Sequence, residues 1–169
     1  MSLYELAKVI HETNKGNGFD PPTWDNLPAK VMFAVTELEE GMAAIRGDGE
    51  DPLTEELADA AIRILDILHS VWNDRWADRT GDVLSFRPDG GLFEPGEVAL
   101  WRPLSMLCKG VEAWRHERRR DVQSALEIAL RELFLFGIRL GVDLHVIIEW
   151  KNAKNGTRGL RHGKARAEG

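Results

Sequence analysis

Two amphipathic helical runs between residues 28 and 67 each carry a pair of carboxylates three residues apart, and this repeat constrains the fold more than any other feature. The pairs are Glu37 with Glu40 and Glu56 with Asp59. At about 100° per residue, each pair falls along one edge of an apolar stripe. If the two stripes pack against each other across a short polar loop, the four carboxylates meet at the seam. Four like charges held together require a cation, so the sequence predicts a metal site between two packed helices.

Helical periodicity continues through most of the chain and predicts an all-α fold. Ser2 and Thr54 are candidate helix caps, Pro28 suits a first helical turn, and Gly47 and Gly141 suit helix ends. The predicted helices cover about residues 2–13, 28–46, 54–76, 103 onward, 121–140 and 143–153. Residues 1–169 are therefore predicted to form a single domain, an antiparallel bundle of about five or six helices completed by oligomerisation.

Two segments depart from this periodic pattern. Residues 79–102 are mostly rich in Gly, Pro and Asp, and they predict a long irregular connection. Residues 151–169 are strongly basic, and Asn155, Gly156 and Gly159 predict that this segment leaves the helix. We expect it to close over a bound ligand and to be dispensable for the fold.

Composition limits the environment and the partners. The net charge of −6 argues against general affinity for a nucleic acid polymer. A single cysteine, Cys108, excludes an intramolecular disulfide and suits a reducing compartment such as the cytoplasm. No apolar run approaches the roughly 20 residues of a membrane helix, so no membrane association is expected.

Carboxylate oxygens without neighbouring His or Cys suit a hard cation, so Mg²⁺ fits the predicted site best, with Mn²⁺ as a substitute. Carboxylates at this spacing are also common on solvated helix faces, and only the matched pairs on neighbouring helices favour a site. Glu39 and Glu55 are expected to face solvent. Arg63 is expected to form a structural salt bridge, whereas Asp66 is left between a structural and a site role.

The same residues resemble a known family. The runs 35–40 (VTELEE), 55–59 (EELAD) and 62–66 (IRILD) are similar to the acidic signature of the MazG-like all-α nucleoside triphosphate pyrophosphohydrolase superfamily, which includes dimeric dUTPase-like members. The runs 151–158 (KNAKNGTR) and 161–164 (RHGK) resemble the basic ending of many members. The resemblance covers roughly residues 28–72 and 104–164, and its strength lies in the two motifs occurring in this order.

The resemblance implies an enzyme that hydrolyses a nucleoside triphosphate between its α and β phosphorus atoms, in nucleotide-pool cleaning. The implied metal ligands and catalytic residues are Glu37, Glu40, Glu56 and Asp59. Implied contacts to the phosphates or sugar come from Lys151, Asn155, Arg158, Arg161, His162 and Lys164. Trp24, Phe33 or Trp72 is a candidate to stack on the base, although each is equally consistent with a core position.

Two further expectations concern partners. Phe134, Leu135 and Phe136 occur in succession, which suggests more apolar surface than one side of a bundle buries. Together with the resemblance, this predicts a homodimer or a dimer of dimers. The competing hypothesis is a non-catalytic helical interaction protein, in which the carboxylates are a solvated edge and the basic tail binds an acidic partner.

Overall fold

The computed structural model describes residues 1–73, 76 and 96–157, and these ranges contain six α-helices and no strand. The all-α prediction is confirmed. No helix in these ranges is both long and apolar enough to cross a membrane. The helices are α1 (Leu3–Gly16), α2 (Leu27–Arg46), α3 (Leu53–Trp72), α4 (Val98–Arg115), α5 (Arg119–Arg139) and α6 (Leu144–Thr157).

Local sequence signals explain most of the helix boundaries. Ser2 caps α1 in a capping box, in which its hydroxyl accepts from the Glu5 backbone N–H and the Glu5 side chain accepts from the Ser2 backbone N–H. Helix α2 has Pro28 in its first turn and ends at Gly47, whose φ of 86° is the left-handed conformation that glycine adopts without strain. Thr54 does not cap α3, because the helix begins one residue earlier and Pro52 is its N-cap residue.

Helices α2 and α3 form an antiparallel hairpin that brings the two acidic motifs together. A Cβ atom added to Gly41 on α2 would lie 3.6 Å from the Glu56 Cβ at the start of α3. One turn earlier on α2, Glu37 reaches Arg63, which lies further along α3. Helix α3 also contacts α1, α5 and α6, and its apolar residues from Leu57 to Leu68 are buried. It is therefore the central helix of the bundle.

Helix α4 begins at Val98, which is one and a half turns before the predicted start near Pro103. Leu100 is fully buried and lies close to Gly41, so packing against α2 stabilises this early turn. Pro103 is inside the helix, where its ring is buried. The predicted connection at residues 79–102 is therefore wrong from Val98 onward, and residues 79–95 lie outside the described residues.

Helix α6 continues to Thr157, so the prediction that Asn155 and Gly156 end the helix is wrong. Tertiary contacts outweigh the weak helix propensity of these two residues. Asn152 Nδ2 donates to Thr13 Oγ1 at 3.3 Å, and Asn17 Nδ2 donates to the Asn155 carbonyl at 3.2 Å. The end of α6 is thus attached to α1.

The phenylalanines at 134 and 136 pack within one chain, where they are 8% and 3% exposed. The aromatic run therefore does not by itself require a partner subunit. Large apolar side chains are instead exposed elsewhere, namely Met32, Phe33, Trp101, Ile138, Val146 and Trp150.

Candidate metal centre

Three of the four predicted carboxylates converge where α2 packs on α3. Glu37, Glu56 and Asp59 each offer an oxygen, and these oxygens lie within 4.8 Å of one another. Glu56 is only 5% exposed, while Glu40 is exposed and does not belong to this set. The i, i+3 spacing of Glu56 and Asp59 places both on the side of α3 that faces Glu37.

The donor set fits a hard divalent cation. All three donors are carboxylate oxygens, and Mg²⁺ binds oxygen at about 2.1 Å, so two of its ligands lie at most about 4.2 Å apart. At most one pair of three octahedral ligands is opposed, and neighbouring ligands lie about 3.0 Å apart, so the three side chains must rotate toward one another to bind Mg²⁺. Mn²⁺, which prefers the same ligands, fits equally.

The carboxylates of this cluster repel one another, and burial together with this repulsion raises the pKa of two of them. Burial, followed by the charges of Glu40, Glu37 and Asp59, raises the pKa of Glu56 to about 7. Burial also raises the pKa of Glu37, with Asp59 adding to the effect and Arg63 opposing it. A cation relieves the repulsion that both carboxyl groups experience.

Arg63 forms the salt bridge that its position in the sequence suggested. Its Nε donates to Glu37 Oε1 at 3.1 Å. The guanidinium carbon lies 5.9 Å from the Phe19 ring centroid and 5.6 Å from that of Phe33, so it sits beside two exposed aromatic rings. Arg63 thus connects the carboxylate cluster to an aromatic surface.

Lys151 is buried next to the cluster rather than displayed on a basic tail. Its Nζ lies 2.7 Å from Glu55 Oε2 and 2.9 Å from Asp59 Oδ2, and its side chain is 1% exposed. Lys154 Nζ reaches the same Glu55 oxygen at 2.9 Å. The expectation that Glu55 faces solvent is therefore wrong, because its carboxylate pairs with Lys151 and Lys154. The contact of Lys151 with phosphate stays a prediction.

These contacts also set the protonation of the pair. The hydrogen bonds from Lys151 and then Lys154 lower the pKa of Glu55. Burial alone would lower the pKa of Lys151, but the hydrogen bonds to Glu55 and Asp59 outweigh it and raise that pKa. Both groups are therefore charged at neutral pH.

The other predicted substrate-binding residues are placed only in part. Asn155 lies half-buried in α6, with its backbone carbonyl bonded to Asn17. The remaining four, Arg158, Arg161, His162 and Lys164, lie outside the described residues.

A small cavity is lined in part by Arg63, the residue that pairs with Glu37 of the carboxylate cluster. It has a volume of about 70 Å³. Phe19 and Phe33 line it together with polar groups that include Asp66, whose Oδ2 accepts from Asn14 Nδ2 at 2.7 Å. His11 Nδ1 lies 2.8 Å from Asp66 Oδ1, so Asp66 links α3 to α1 and has a structural role.

Of the three aromatic residues predicted to stack on a base, Phe33 lines this cavity. Trp24 and Trp72 instead pack edge to face against each other, with ring centroids 6.3 Å apart.

Sequence reasoning missed the roles of Glu55 and of the α1 residues His11 and Asn14. Weak signals for both existed. Lys151 and Lys154 are three residues apart, as are His11 and Asn14, and such spacing places two side chains on one helix face. Which face they would meet depended on the packing of α1 and α6 against α3.

Comparison of the chain with protein-family models, curated proteins and solved structures finds no match in any of the three.

Proposed function

We propose that this protein is a Mg²⁺-dependent enzyme that hydrolyses a (deoxy)nucleoside triphosphate to the monophosphate and pyrophosphate, with a role in cleaning the cytoplasmic nucleotide pool. The observation that carries the proposal is the convergence of Glu37, Glu56 and Asp59 at the packed seam of two helices. The resemblance of the two acidic motifs and the basic ending to the MazG-like superfamily supports the same reaction.

In this proposal each group near the cluster has a distinct task. Glu37, Glu56 and Asp59 hold Mg²⁺, which neutralises phosphate charge and lowers the pKa of an attacking water when it is bound. Glu40 is exposed beside them, so its carboxylate is available to accept a proton from that water. Arg63 fixes the orientation of Glu37 through the hydrogen bond to its Oε1. The chain thus supplies metal ligands, a proton acceptor and a positioning group within two helices.

Binding of the substrate is assigned to two parts of the chain. The basic residues Arg158, Arg161, His162 and Lys164 supply the positive charge that a triphosphate and departing pyrophosphate require. The cavity beside Arg63 offers the exposed rings of Phe19 and Phe33 to the base. A base at this cavity would place the phosphates toward Glu37.

The activity is testable with a mixed set of canonical and modified nucleoside triphosphates. We expect release of pyrophosphate and the matching monophosphate from at least one nucleotide in the presence of Mg²⁺, and no release after chelation. Mn²⁺ should restore the reaction. Absence of pyrophosphate from every nucleotide would favour the interaction-protein hypothesis, and release of inorganic phosphate alone would contradict cleavage at the α–β bond.

Replacing Phe33 with Ala should weaken substrate binding without disturbing the metal site. Stacking of an aromatic ring on a base contributes about 1–3 kcal/mol, so we expect KM to rise by about fivefold to a hundredfold. Met32→Ala is the matched control, because Met32 is the neighbouring exposed apolar residue of α2 and does not line the cavity. Steady-state kinetics with both variants distinguish the roles, and an unchanged KM in Phe33→Ala would remove the base from this cavity.

We also propose that the chain assembles as a homodimer or a dimer of dimers. Several large apolar side chains are exposed on the described surface, among them Ile138 at 55% and Val146 at 57%. Light scattering at micromolar concentration should give two or four times the chain mass of 19.0 kDa. A mass of one chain at that concentration would contradict the proposal.

A further inference from the structure

The ammonium group of Lys151 is a cation held in place at the edge of the carboxylate cluster formed by Glu37, Glu56 and Asp59. It contacts Glu55 Oε2 and Asp59 Oδ2, at 2.7 and 2.9 Å, and 1% of its side chain is exposed. A lysine this deeply buried keeps its charge only when it is paired and hydrogen-bonded. Asp59 therefore contacts the Lys151 ammonium group and also contributes an oxygen to the proposed metal site with Glu37 and Glu56.

The formal charges around the seam support the same view. Six carboxylates interact here, namely Glu37, Glu40, Asp51, Glu55, Glu56 and Asp59. Three cationic groups oppose them, namely Arg63 at Glu37, Lys151 at Glu55 and Asp59, and Lys154 at Glu55. A net negative charge remains, which a bound divalent ion reduces.

We propose that the ammonium group of Lys151 takes the place that a second divalent ion occupies in two-metal phosphoryl-transfer sites, so that the nucleotide-free protein binds one divalent ion. In two-metal sites the ions lie about 3.5–4 Å apart. Here Asp59 Oδ2 contacts the ammonium group of Lys151, and Glu55 Oε2 also contacts this group and fixes its position. The inference rests on the proposed metal site but not on the identity of the substrate.

The probe is Mn²⁺ without nucleotide, because its unpaired electrons report both stoichiometry and metal–metal coupling. Equilibrium titration followed by electron paramagnetic resonance should give one Mn²⁺ per wild-type chain. In Lys151→Met the side chain keeps nearly the same shape but loses its charge, which leaves Asp59 and Glu55 without the shared ammonium. We expect this variant to bind two Mn²⁺ per chain, with spectra broadened by spin coupling across Asp59.

Two matched variants isolate the charge of Lys151. Lys154→Met removes a cation from the same Glu55 oxygen but leaves the contact of Lys151 with Asp59 in place, so one Mn²⁺ per chain is expected. The double variant Lys151→Met with Glu55→Gln removes both the ammonium and the carboxylate that would help to bind a second ion. Its stoichiometry should return to one.

The outcomes separate this inference from the proposed function. Two Mn²⁺ in the wild type, or one in a folded Lys151→Met, would overturn the inference and leave the metal site intact. No Mn²⁺ in the wild type would overturn both. Circular dichroism monitors the fold of each variant with Mn²⁺ present, and the wild-type stoichiometry tests the inference even if Lys151→Met does not fold.

Discussion

Replacing Glu56 with Gln is expected to abolish Mg²⁺-dependent hydrolysis while making the metal-free protein more stable at pH 8. Glu56 is 5% exposed, and burial together with the neighbouring carboxylates raises its pKa from 4.5 to about 7. Because the folded state then binds the proton more tightly than the unfolded state, the contribution of Glu56 to stability is fully present below pH 4.5 and is lost as pH rises through 7. At about 1.4 kcal/mol per pKa unit, the loss is at most about 3 kcal/mol.

Glutamine resembles the protonated acid, so it removes this loss. Thermal unfolding after chelation should show Glu56→Gln melting several degrees above the wild type at pH 8 and close to it at pH 4.5. Glu39→Gln is the matched control, because Glu39 is an exposed glutamate of α2 whose only ion pair among the described residues is a 3.7 Å contact with Arg46. It should change neither activity nor the pH dependence. A metal-free wild type that gains stability from pH 5 to pH 8, or an active Glu56→Gln, would contradict the repulsive metal site.

Two truncations are expected to separate the structural part of the basic ending from its catalytic part. A chain that stops after Trp150 loses Lys151, and with it the buried ion pairs to Glu55 and Asp59. It also loses the hydrogen bond from Asn152 to Thr13. Breaking a buried ion pair by removing one partner costs about 3–5 kcal/mol, so this chain should be strongly destabilised.

A chain that stops after Thr157 keeps all six helices but lacks Arg158, Arg161, His162 and Lys164. It should melt like the full chain and bind Mn²⁺ equally well. Loss of one group that stabilises transition-state charge typically costs about 10²–10³ in kcat, so turnover should fall at least about a hundredfold. Full activity would show that the final basic residues are incidental, and equal melting temperatures for both truncations would show that residues 151–157 do not stabilise the fold.

The fold was predictable where local patterns and long-range packing agree. The apolar stripes of α2 and α3 and the cap at Ser2 located the starts of α1, α2 and α3 to within one residue. Helix α1 ends three residues later than predicted, and α3 ends four residues earlier. The short acidic loop between α2 and α3 also allowed the hairpin to be inferred, so Glu37, Glu56 and Asp59 were brought together correctly. The cluster was predictable because its three carboxylates lie on α2 and α3, two helices that follow each other directly in the chain.

The rest depends on contacts between distant segments. Nothing local to Asn155 and Gly156 favours a helix, and contacts with the C-terminal end of α1, at Thr13 and the following Asn17, explain why α6 continues through them. Glu55 and Lys151 are 96 residues apart, so their ion pair follows from the packing of α6 on α3 rather than from either motif. The burial of Phe134 and Phe136 likewise depends on the whole bundle.

The central position of α3 has a consequence for the cooperativity of the molecule. The helix that carries Glu56 and Asp59 is also the helix that packs on α1, α2, α5 and α6. A local opening that separated these two carboxylates from Glu37 would therefore disrupt most of the core, at a free energy close to that of global unfolding. If an ion binds at this seam as proposed, it would thus stabilise the cooperative unit as a whole, including every helix packed on α3.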